Sequence, residues 1–283
     1  MKTLKRFWNL RGVRKIRQDK IAVFCFGIIV IYGILALLVA TGVIAQEFDA
    51  RVGEKYMGPG SDHWLGTDRQ GRDILTRLIY SNKVAFSVGM VSSLVAVSVG
   101  TLLGSMAGYF GGKVDALIVW LYSTIQSIPY LLLLMALTYA AGKGITGLYV
   151  AFCSTYWVGP CRVIRGEVLK LRNMEYVQAA RALGLPSRAI LFKHIIPNTL
   201  HLVFVNFALL FIGAIKSEVI LSYLGLGVQG EPSWGTMIDQ ARAELVNGFF
   251  WQIGGATAAM FALVLAFNIF TDSLQDALDP RSY

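Results

Sequence analysis

The sequence predicts an all-α integral membrane protein with six transmembrane helices. Only 15% of its 283 residues are charged and 55% are hydrophobic, whereas soluble domains are about a quarter charged. The remaining sequence contains six apolar runs long enough to cross a bilayer, which takes roughly 20 helical residues. Because backbone groups in lipid must be hydrogen-bonded within their own segment, these runs are expected to be helices. The runs are residues 21–46, 84–112, 116–142, 144–161, 194–215 and 245–271.

Charged residues are unevenly distributed among the segments that join these runs. The net charge of +9 is concentrated in two segments. Residues 1–20 contain eight basic residues and one acidic residue, and residues 162–193 contain seven basic residues and two acidic residues. Residues 47–83 hold six of each sign. Because cytoplasmic segments are enriched in Lys and Arg, both termini and residues 162–198 are predicted to be cytoplasmic, and residues 47–83 external. The basic N-terminus is attributed to orientation and contact with membrane lipids, not to nucleic acid.

The chain is therefore divided into a basic N-terminal segment, residues 1–20, and one transmembrane domain, residues 21–283. Phe7 and Trp8 lie among the basic residues of the first segment, a pattern that suits an amphipathic helix at the membrane surface. The first membrane helix follows and leads into the external loop, residues 47–83.

The second run carries small residues at every fourth position. Small residues on one face let two helix backbones approach closely within a membrane. The stripe either packs against another helix of this chain or forms a contact with another subunit. Its members are Ser92, Ala96, Gly100, Gly104 and Gly108.

The third and fifth runs each contain a feature that interrupts an ordinary membrane helix. Pro129 lies inside the third run and is expected to bend or break it, because proline lacks an N–H group. Lys216 and Glu218 lie near the predicted outer end of the fifth helix. Being two residues apart on a helix, they are expected to point to different faces. They either extend to the interface and pair between helices, or line a polar pathway.

Residues 162–198 contain several residue types that typically begin or end a helix. Asn173 suits an N-cap, and Gly184 suits a left-handed residue after the last turn. Together they predict a helix over residues 174–183, stopped by Pro186. Ser187 is expected to cap a second short helix that ends before Pro197.

The sequence shows no motif of a catalytic or metal centre. It has no GxxxxGK[ST] phosphate loop, no HExxH zinc motif and no GxSxG nucleophile turn. Its three cysteines lie in or beside apolar runs without a CxxC pair. A non-catalytic chain without a cofactor or metal of its own is therefore predicted.

A stretch within residues 162–198 carries a family resemblance. It is similar to the EAA loop of ABC importer permeases, with the same spacing between Gly184 and Pro197. Gln178 replaces the first acid of that motif, and His194 and Ile196 replace its isoleucine and leucine. The stretch reads Glu175-Tyr176-Val177-Gln178-Ala179-Ala180-Arg181-Ala182-Leu183-Gly184, then His194-Ile195-Ile196-Pro197-Asn198.

Three other stretches resemble the oligopeptide, dipeptide and nickel branch of these permeases. The first follows the first helix and contains Trp64, Gly66, Thr67, Asp68, Gly71, Arg72 and Asp73. The others are residues 221–235 and residues 272–281, where Gln275 stands at a position that is often arginine in the family. The resemblance covers about residues 20–283, and the four motifs occur in the family order.

The resemblance implies the six-helix fold of type I ABC importer permeases. It also implies a complex in which separate subunits form the pathway, bind ATP and deliver the cargo. A second permease subunit, a different chain, would complete the pathway in the inner membrane. Two ATPase subunits would bind ATP and Mg²⁺ and receive the helix over residues 174–183, with Tyr176 and Leu183 as apolar anchors. An extracytoplasmic binding protein would deliver peptides. Lys216, Glu218 and Pro129 are then candidates for the pathway or its gate.

Several alternatives stay open at this level. The same pattern serves permeases for nickel and oligosaccharides, so the cargo is open. A stand-alone carrier or channel would show midplane charges and internal repeats, which are not seen. The motif around Asp68 either docks the binding protein or ties the loop to the helix ends through Asp68, Arg72 and Asp73.

Overall fold

A computed structural model describes residues 11–278, and those residues form a helical protein without strands. Two isolated bridges, Arg51 with Arg72 and Thr67 with Asp73, occur in a loop. The helices are α1 Arg11–Gln18, α2 Lys20–Ala40, α3 Ile74–Phe110, α4 Gly112–Gln126, α5 Tyr130–Ala140, α6 Ile145–Thr155, α7 Val158–Leu171, α8 Glu175–Ala182, α9 Ser187–Ile190, α10 Ile196–Tyr223, α11 Trp234–Val246 and α12 Trp251–Leu278.

Four helical segments in the described part are long and apolar enough to cross a membrane. They are α2, α3, α12 and the continuous segment Ser187–Tyr223, which contains α9 and α10. The pair α4 and α5 makes a fifth if it counts as one bent span. The predicted fourth run, residues 144–161, is divided between α6 and α7. The count of six spans therefore stays a prediction.

Pro129 breaks the third run as predicted. Helices α4 and α5 meet there at an angle of 89°, and Pro129 is the residue that precedes α5. The break lies at the Ile128–Pro129 pair, where proline disfavours helical geometry in the residue before it and has no N–H group to bond to the preceding turn.

Several boundaries differ from those predicted. Helix α3 begins at Ile74, so residues 74–83 of the predicted external loop are helical, and the side chain of Asp73 caps the helix by accepting from the Thr76 amide at 2.7 Å. Helix α7 continues to Leu171, ten residues beyond the predicted end of the fourth run. Helix α11 was not predicted, although Ser233 and Thr236 form a capping box at its start.

The second short helix does not end before Pro197, so that prediction is wrong. Ser187 provides no side-chain cap. The chain passes from α9 into α10 through a π-helical turn, Leu191–Ile195. In this wider turn the Ile196 amide bonds back to the Leu191 carbonyl, so the helix continues past a residue that lacks an N–H group.

Helix α3 is the central element of the bundle. Its 37 residues span about 55 Å at the rise of an α-helix. At one end Ile74 packs with Met237 and Ala256. At the other end Tyr109 packs with residues of α7, α8 and α9. The loop before α3 and helix α8 therefore lie at opposite ends of the molecule.

The described part of the N-terminal segment lies against the end of α12. Lys15 Nζ donates to the carbonyl of Asp276 at 2.8 Å, and Ser273 Oγ donates to Asp19 at 2.7 Å. Asp19 also caps α2 by accepting from the amides of Ile21 and Ala22. These hydrogen bonds, that of Ser273 first, hold the pKa of Asp19 below its ordinary value. Phe7 and Trp8 lie outside the described residues.

The stripe of small residues packs within this chain, which confirms the first interpretation of it. A Cβ atom added to Gly100 would lie 2.7 Å from the Trp157 carbonyl oxygen, and one on Gly104 would lie 2.5 Å from the Cys161 carbonyl oxygen. A Cβ on Gly108 would approach the Arg165 carbonyl oxygen to 2.9 Å. Real side chains do not fit at these distances, so the glycines set the close approach of α3 and α7.

Gly104→Val is expected to destabilise the fold strongly. Its branched side chain would meet the backbone of α7, and backbone cannot move aside as a flexible side chain can. Overpacking of a core costs about 1–3 kcal/mol when side chains can adjust, and this clash exceeds that case. Thermal unfolding of the detergent-solubilised protein should show a lower midpoint. Gly27→Val is the control, because nothing lies within 4 Å of a Cβ there; equal midpoints for both variants would contradict the packing role.

Candidate functional site

Helix α8 is built much as predicted, with one wrong detail at its start. It covers Glu175–Ala182, and the residue that precedes it is Met174, which provides no side-chain cap. The predicted cap, Asn173, still belongs to the turn that follows α7, and its side-chain amide donates to the Leu169 carbonyl at 3.4 Å. The helix therefore begins without the hydrogen bond expected from asparagine.

The C-terminal end of α8 is terminated by Gly184, as predicted. Gly184 has a φ of +75°, a conformation that glycine adopts without strain. The amide of Leu185 donates to the Ala180 carbonyl at 3.2 Å, and the amide of Gly184 to the Arg181 carbonyl at 2.9 Å. These two bonds form a Schellman-type end and satisfy carbonyls that the helix leaves open.

One face of α8 is anchored to the bundle. Val177 and Ala180 are buried in a cluster that contains Tyr109 of α3 and Ile164 of α7. The guanidinium of Arg181 lies 5.1 Å from the centre of the Tyr109 ring, a cation–π contact that adds to this attachment. Ala180 therefore packs against its own chain and is not free to contact a partner.

The opposite side of α8 is exposed and apolar. We call Tyr176, Ala179, Ala182 and Leu183 the docking face. Leu183 is 80% exposed and Tyr176 is 40% exposed, and both alanines are exposed as well. Glu175 and Gln178 are exposed beside them. A rigid helix with two large apolar side chains and small residues between them can enter a groove of a partner protein.

Two of the predicted pathway residues, Pro129 and Lys216, line the same cavity. Its volume is about 760 Å³, and it lies where the break between α4 and α5 faces α7 and α10. Tyr130, Tyr156 and Ser217 also line it. The Tyr130 hydroxyl is hydrogen-bonded to the Tyr156 hydroxyl, and it lies 2.8 Å from Ser217 Oγ. This polar group joins α5 and α10 to the turn between α6 and α7.

Glu218 lies on a different face of α10 from Lys216, as predicted from their spacing. Lys216 is exposed and Glu218 is completely buried. Ser222 Oγ donates to Glu218 Oε1 at 2.6 Å, and Oε2 has no hydrogen-bond partner among the described residues. Glu218 is not among the residues that line the cavity. The geometry thus separates it from Pro129 and Lys216, with which the sequence grouped it.

The motif that precedes α3 is held together by a buried carboxylate. We call residues 63–73 the loop motif. Asp68, only 1% exposed, accepts from the amides of Gln70 and Arg72 and from Arg72 Nε at 2.7 Å. Arg77 Nε lies 3.7 Å from the same carboxylate. Asp68 therefore contacts two buried cations and two backbone amides, and Asp49 is a second acid that pairs with Arg72 at 2.7 Å.

The other residues of the loop motif support the same compact turn. Asp73 pairs with His63 at 2.9 Å rather than with Arg72. Thr67 donates to the Glu54 carbonyl and accepts from the Met57 amide. Gly66 and Gly71 both have positive φ, and a Cβ on either would clash with a carbonyl oxygen of residues 53–57. Trp64 is the exception, because 74% of it is exposed.

Helix α11 joins this turn to the rest of the bundle. Glu244 accepts from the Arg69 amide at 3.1 Å, and Gln240 accepts from Arg77 at 3.0 Å. Burial raises the pKa of Glu244 above its ordinary value. The sequence did not indicate Arg77, Gln240 or Glu244 as functional residues. They come together only in the folded chain, because α11 lies about 170 residues after the loop motif and no local sequence pattern links the two. No group of three or more possible metal ligands is found among residues 11–278.

Comparison with known proteins decides the family. The family model described as "Binding-protein-dependent transport system inner membrane component" matches residues 100–282. The chain belongs to this family. The match contains α8, the docking face and the cavity, and the loop motif precedes it.

Curated relatives cover most of both chains. The chain is 33% identical over 273 residues to the dipeptide transport system permease protein DppC of Bacillus subtilis, covering 95% of this chain and 84% of that protein. It is 38% identical to the oligopeptide transport system permease protein OppC of Haemophilus influenzae, covering 77% and 70%. It is 35% identical to the glutathione transport system permease protein GsiD of Pectobacterium atrosepticum, covering 87% and 84%.

Solved structures share the fold. A chain of the MetNI methionine ABC transporter in an inward-facing conformation superposes with a TM-score of 0.54 at 18% identity, covering 73% of this chain and 96% of that one. A chain of an amino acid ABC transporter superposes with a TM-score of 0.51 at 16% identity, covering 72% of this chain and 94% of that one. The bundle described above shares its fold with these ABC transporter chains, which agrees with the family assignment.

Proposed function

We propose that this chain is one of two permease subunits of an ATP-driven importer that moves peptides inward across the cell membrane. The single observation that carries the proposal is α8, an anchored helix with an exposed apolar face at one end of the bundle. The relatives named as dipeptide, oligopeptide and glutathione permeases support the cargo class.

The proposed topology has six spans with both termini and α8 in the cytoplasm. The bent pair α4–α5 is the third span and α6–α7 is the fourth, broken between Thr155 and Val158. The basic residues of segments 1–20 and 162–198 support this orientation. The separation of about 55 Å along α3 supports an external position for the loop motif in this topology.

The proposed partners follow from the same arrangement. Two ATPase subunits would bind ATP and Mg²⁺ and receive the docking faces of this chain and of a second, different permease. The cluster around Tyr109 links α8 to α3, α7 and α9, and the helix continues from α9 into α10. A displacement of α8 would therefore reach the helices that line the cavity. An extracytoplasmic binding protein would deliver the peptide.

Copurification and reconstituted transport test this function together. Extraction in mild detergent, followed by affinity purification and mass spectrometry, should recover two ATPases and a second permease. Liposomes that contain the complex and the binding protein should accumulate labelled peptide only with ATP. Uptake by liposomes that contain this chain alone would contradict the proposal and favour a stand-alone carrier.

Trp64 is proposed to contact the binding protein, since it is exposed while the loop around it is fixed. Trp64→Ala is expected to slow binding-protein-dependent uptake by about tenfold, in the range of an aromatic interface residue. The thermal midpoint should not change, because the side chain has few contacts to lose. Trp120→Ala is a matched control, as that indole is 64% exposed on α4. If both variants transport equally, the loop motif is a scaffold only.

A further inference from the structure

The cavity between the α4–α5 break and α10 carries positive charge and no negative charge. Lys216 and Arg162 both line it, and no Asp or Glu does so within the described part of the chain. Both cations are exposed. Arg162 donates to the neutral amide oxygen of Gln126 at 3.1 Å. Lys216 has neither an ion pair nor a hydrogen bond among the described residues.

The position of Lys216 makes such a cation costly unless an anion approaches it. It lies seven residues before the end of α10, which is about 10 Å along the helix. Ionisable side chains inside a membrane helix are expensive and mark partners or pathways. The walls of the cavity otherwise consist largely of apolar side chains and the hydroxyls of Tyr130, Tyr156 and Ser217.

We propose that this cavity is a cargo site that binds the carboxylate of a peptide through Lys216, with Arg162 as a second cationic contact. The inference rests on the proposed function and specifies the chemistry of the cargo. The cavity follows α10 from Leu210 to Ser217, about 10 Å, which matches a peptide of a few residues. The hydroxyls of Tyr130, Tyr156 and Ser217 are neutral groups that can form hydrogen bonds with the peptide backbone.

Transport of paired cargoes tests the site. The complete complex with its binding protein is reconstituted, and uptake of trialanine is compared with uptake of trialanine amide, which lacks the carboxylate. Lys216→Met is expected to lower uptake of the free acid by about tenfold, the effect of losing one charge-assisted hydrogen bond, and to affect the amide less. Lys216→Arg should retain most activity. Lys143→Met, in the turn between α5 and α6, should behave as the unaltered chain.

A second measurement does not depend on turnover. Gly213 also lines the cavity, and nothing lies within 4 Å of a Cβ added there, so Gly213→Cys places a thiol beside an intact Lys216. This variant, in a background with Ala at Cys25, Cys153 and Cys161, is treated with a hydrophilic thiol reagent in the assembled complex. Trialanine should protect the new thiol and trialanine amide should not. Absent protection, or an equal fold-change in the uptake of both peptides on Lys216→Met, would overturn the inference and attribute Lys216 to lipid headgroups. If the unaltered complex transported neither peptide, the proposed peptide-importer function itself would be wrong. That result differs from the two above, which concern the cargo site alone.

Discussion

Ala179→Trp is expected to abolish ATP-driven transport while the chain stays folded in the membrane. Ala179 is exposed at the centre of the docking face, so an indole meets nothing in this chain but obstructs a closely fitting partner. An obstruction at the centre of an interface should cost at least about 2 kcal/mol of binding, or roughly 30-fold in affinity. The readouts are recovery of the ATPases in copurification, peptide uptake, and ATP hydrolysis stimulated by loaded binding protein.

Two alanine controls separate docking from folding. Ala243→Trp places the same indole at an exposed helical position on α11, at the opposite end of the bundle, and should leave transport unchanged. Ala180→Trp should instead lower the thermal midpoint, because Ala180 is packed inside the cluster with Tyr109 and Val177. Full transport by a folded Ala179→Trp complex would remove α8 from the proposed coupling role.

The features that sequence predicted correctly depend on a few neighbouring residues. Pro129 bends its helix because of its own ring, and Gly184 ends α8 because its backbone tolerates positive φ. The stripe over residues 92–108 is a repeat within one helix, so the need for a close neighbour can be read from it. Which neighbour it meets, α7, required the fold.

The features that sequence missed depend on distant segments. Ala179 and Ala180 are adjacent and chemically identical, yet only Ala180 meets Tyr109, which lies about 70 residues earlier in the chain. In the same way, Pro129 and Lys216 belong to one cavity and Glu218 does not, because α10 presents opposite faces to different helices. Local residue types indicate what a position can do, and packing decides which of those possibilities is used.

Asp68→Ala is expected to cause the largest loss of stability among single changes in the loop motif. It would remove the carboxylate between Arg72 and Arg77, which are 8% and 3% exposed. Breaking a buried ion pair by removing one partner costs about 3–5 kcal/mol, because the remaining charge is buried without compensation. The amides of Gln70 and Arg72 would lose their acceptor as well. Asp49 remains, but it is 72% exposed and offsets little.

Thermal unfolding and limited proteolysis of the reconstituted protein would measure this effect. The midpoint should fall by several degrees, and cleavage within residues 47–73 should appear before cleavage of the bundle. Asp62→Ala is the matched control, since Asp62 is exposed and its carboxylate accepts only from Ser61 among the described residues. Asp68→Asn should be intermediate, because it keeps an acceptor oxygen and loses the charge. An unchanged midpoint for Asp68→Ala would show that Asp49 alone compensates both arginines, and the loop motif would then need another source of its rigidity.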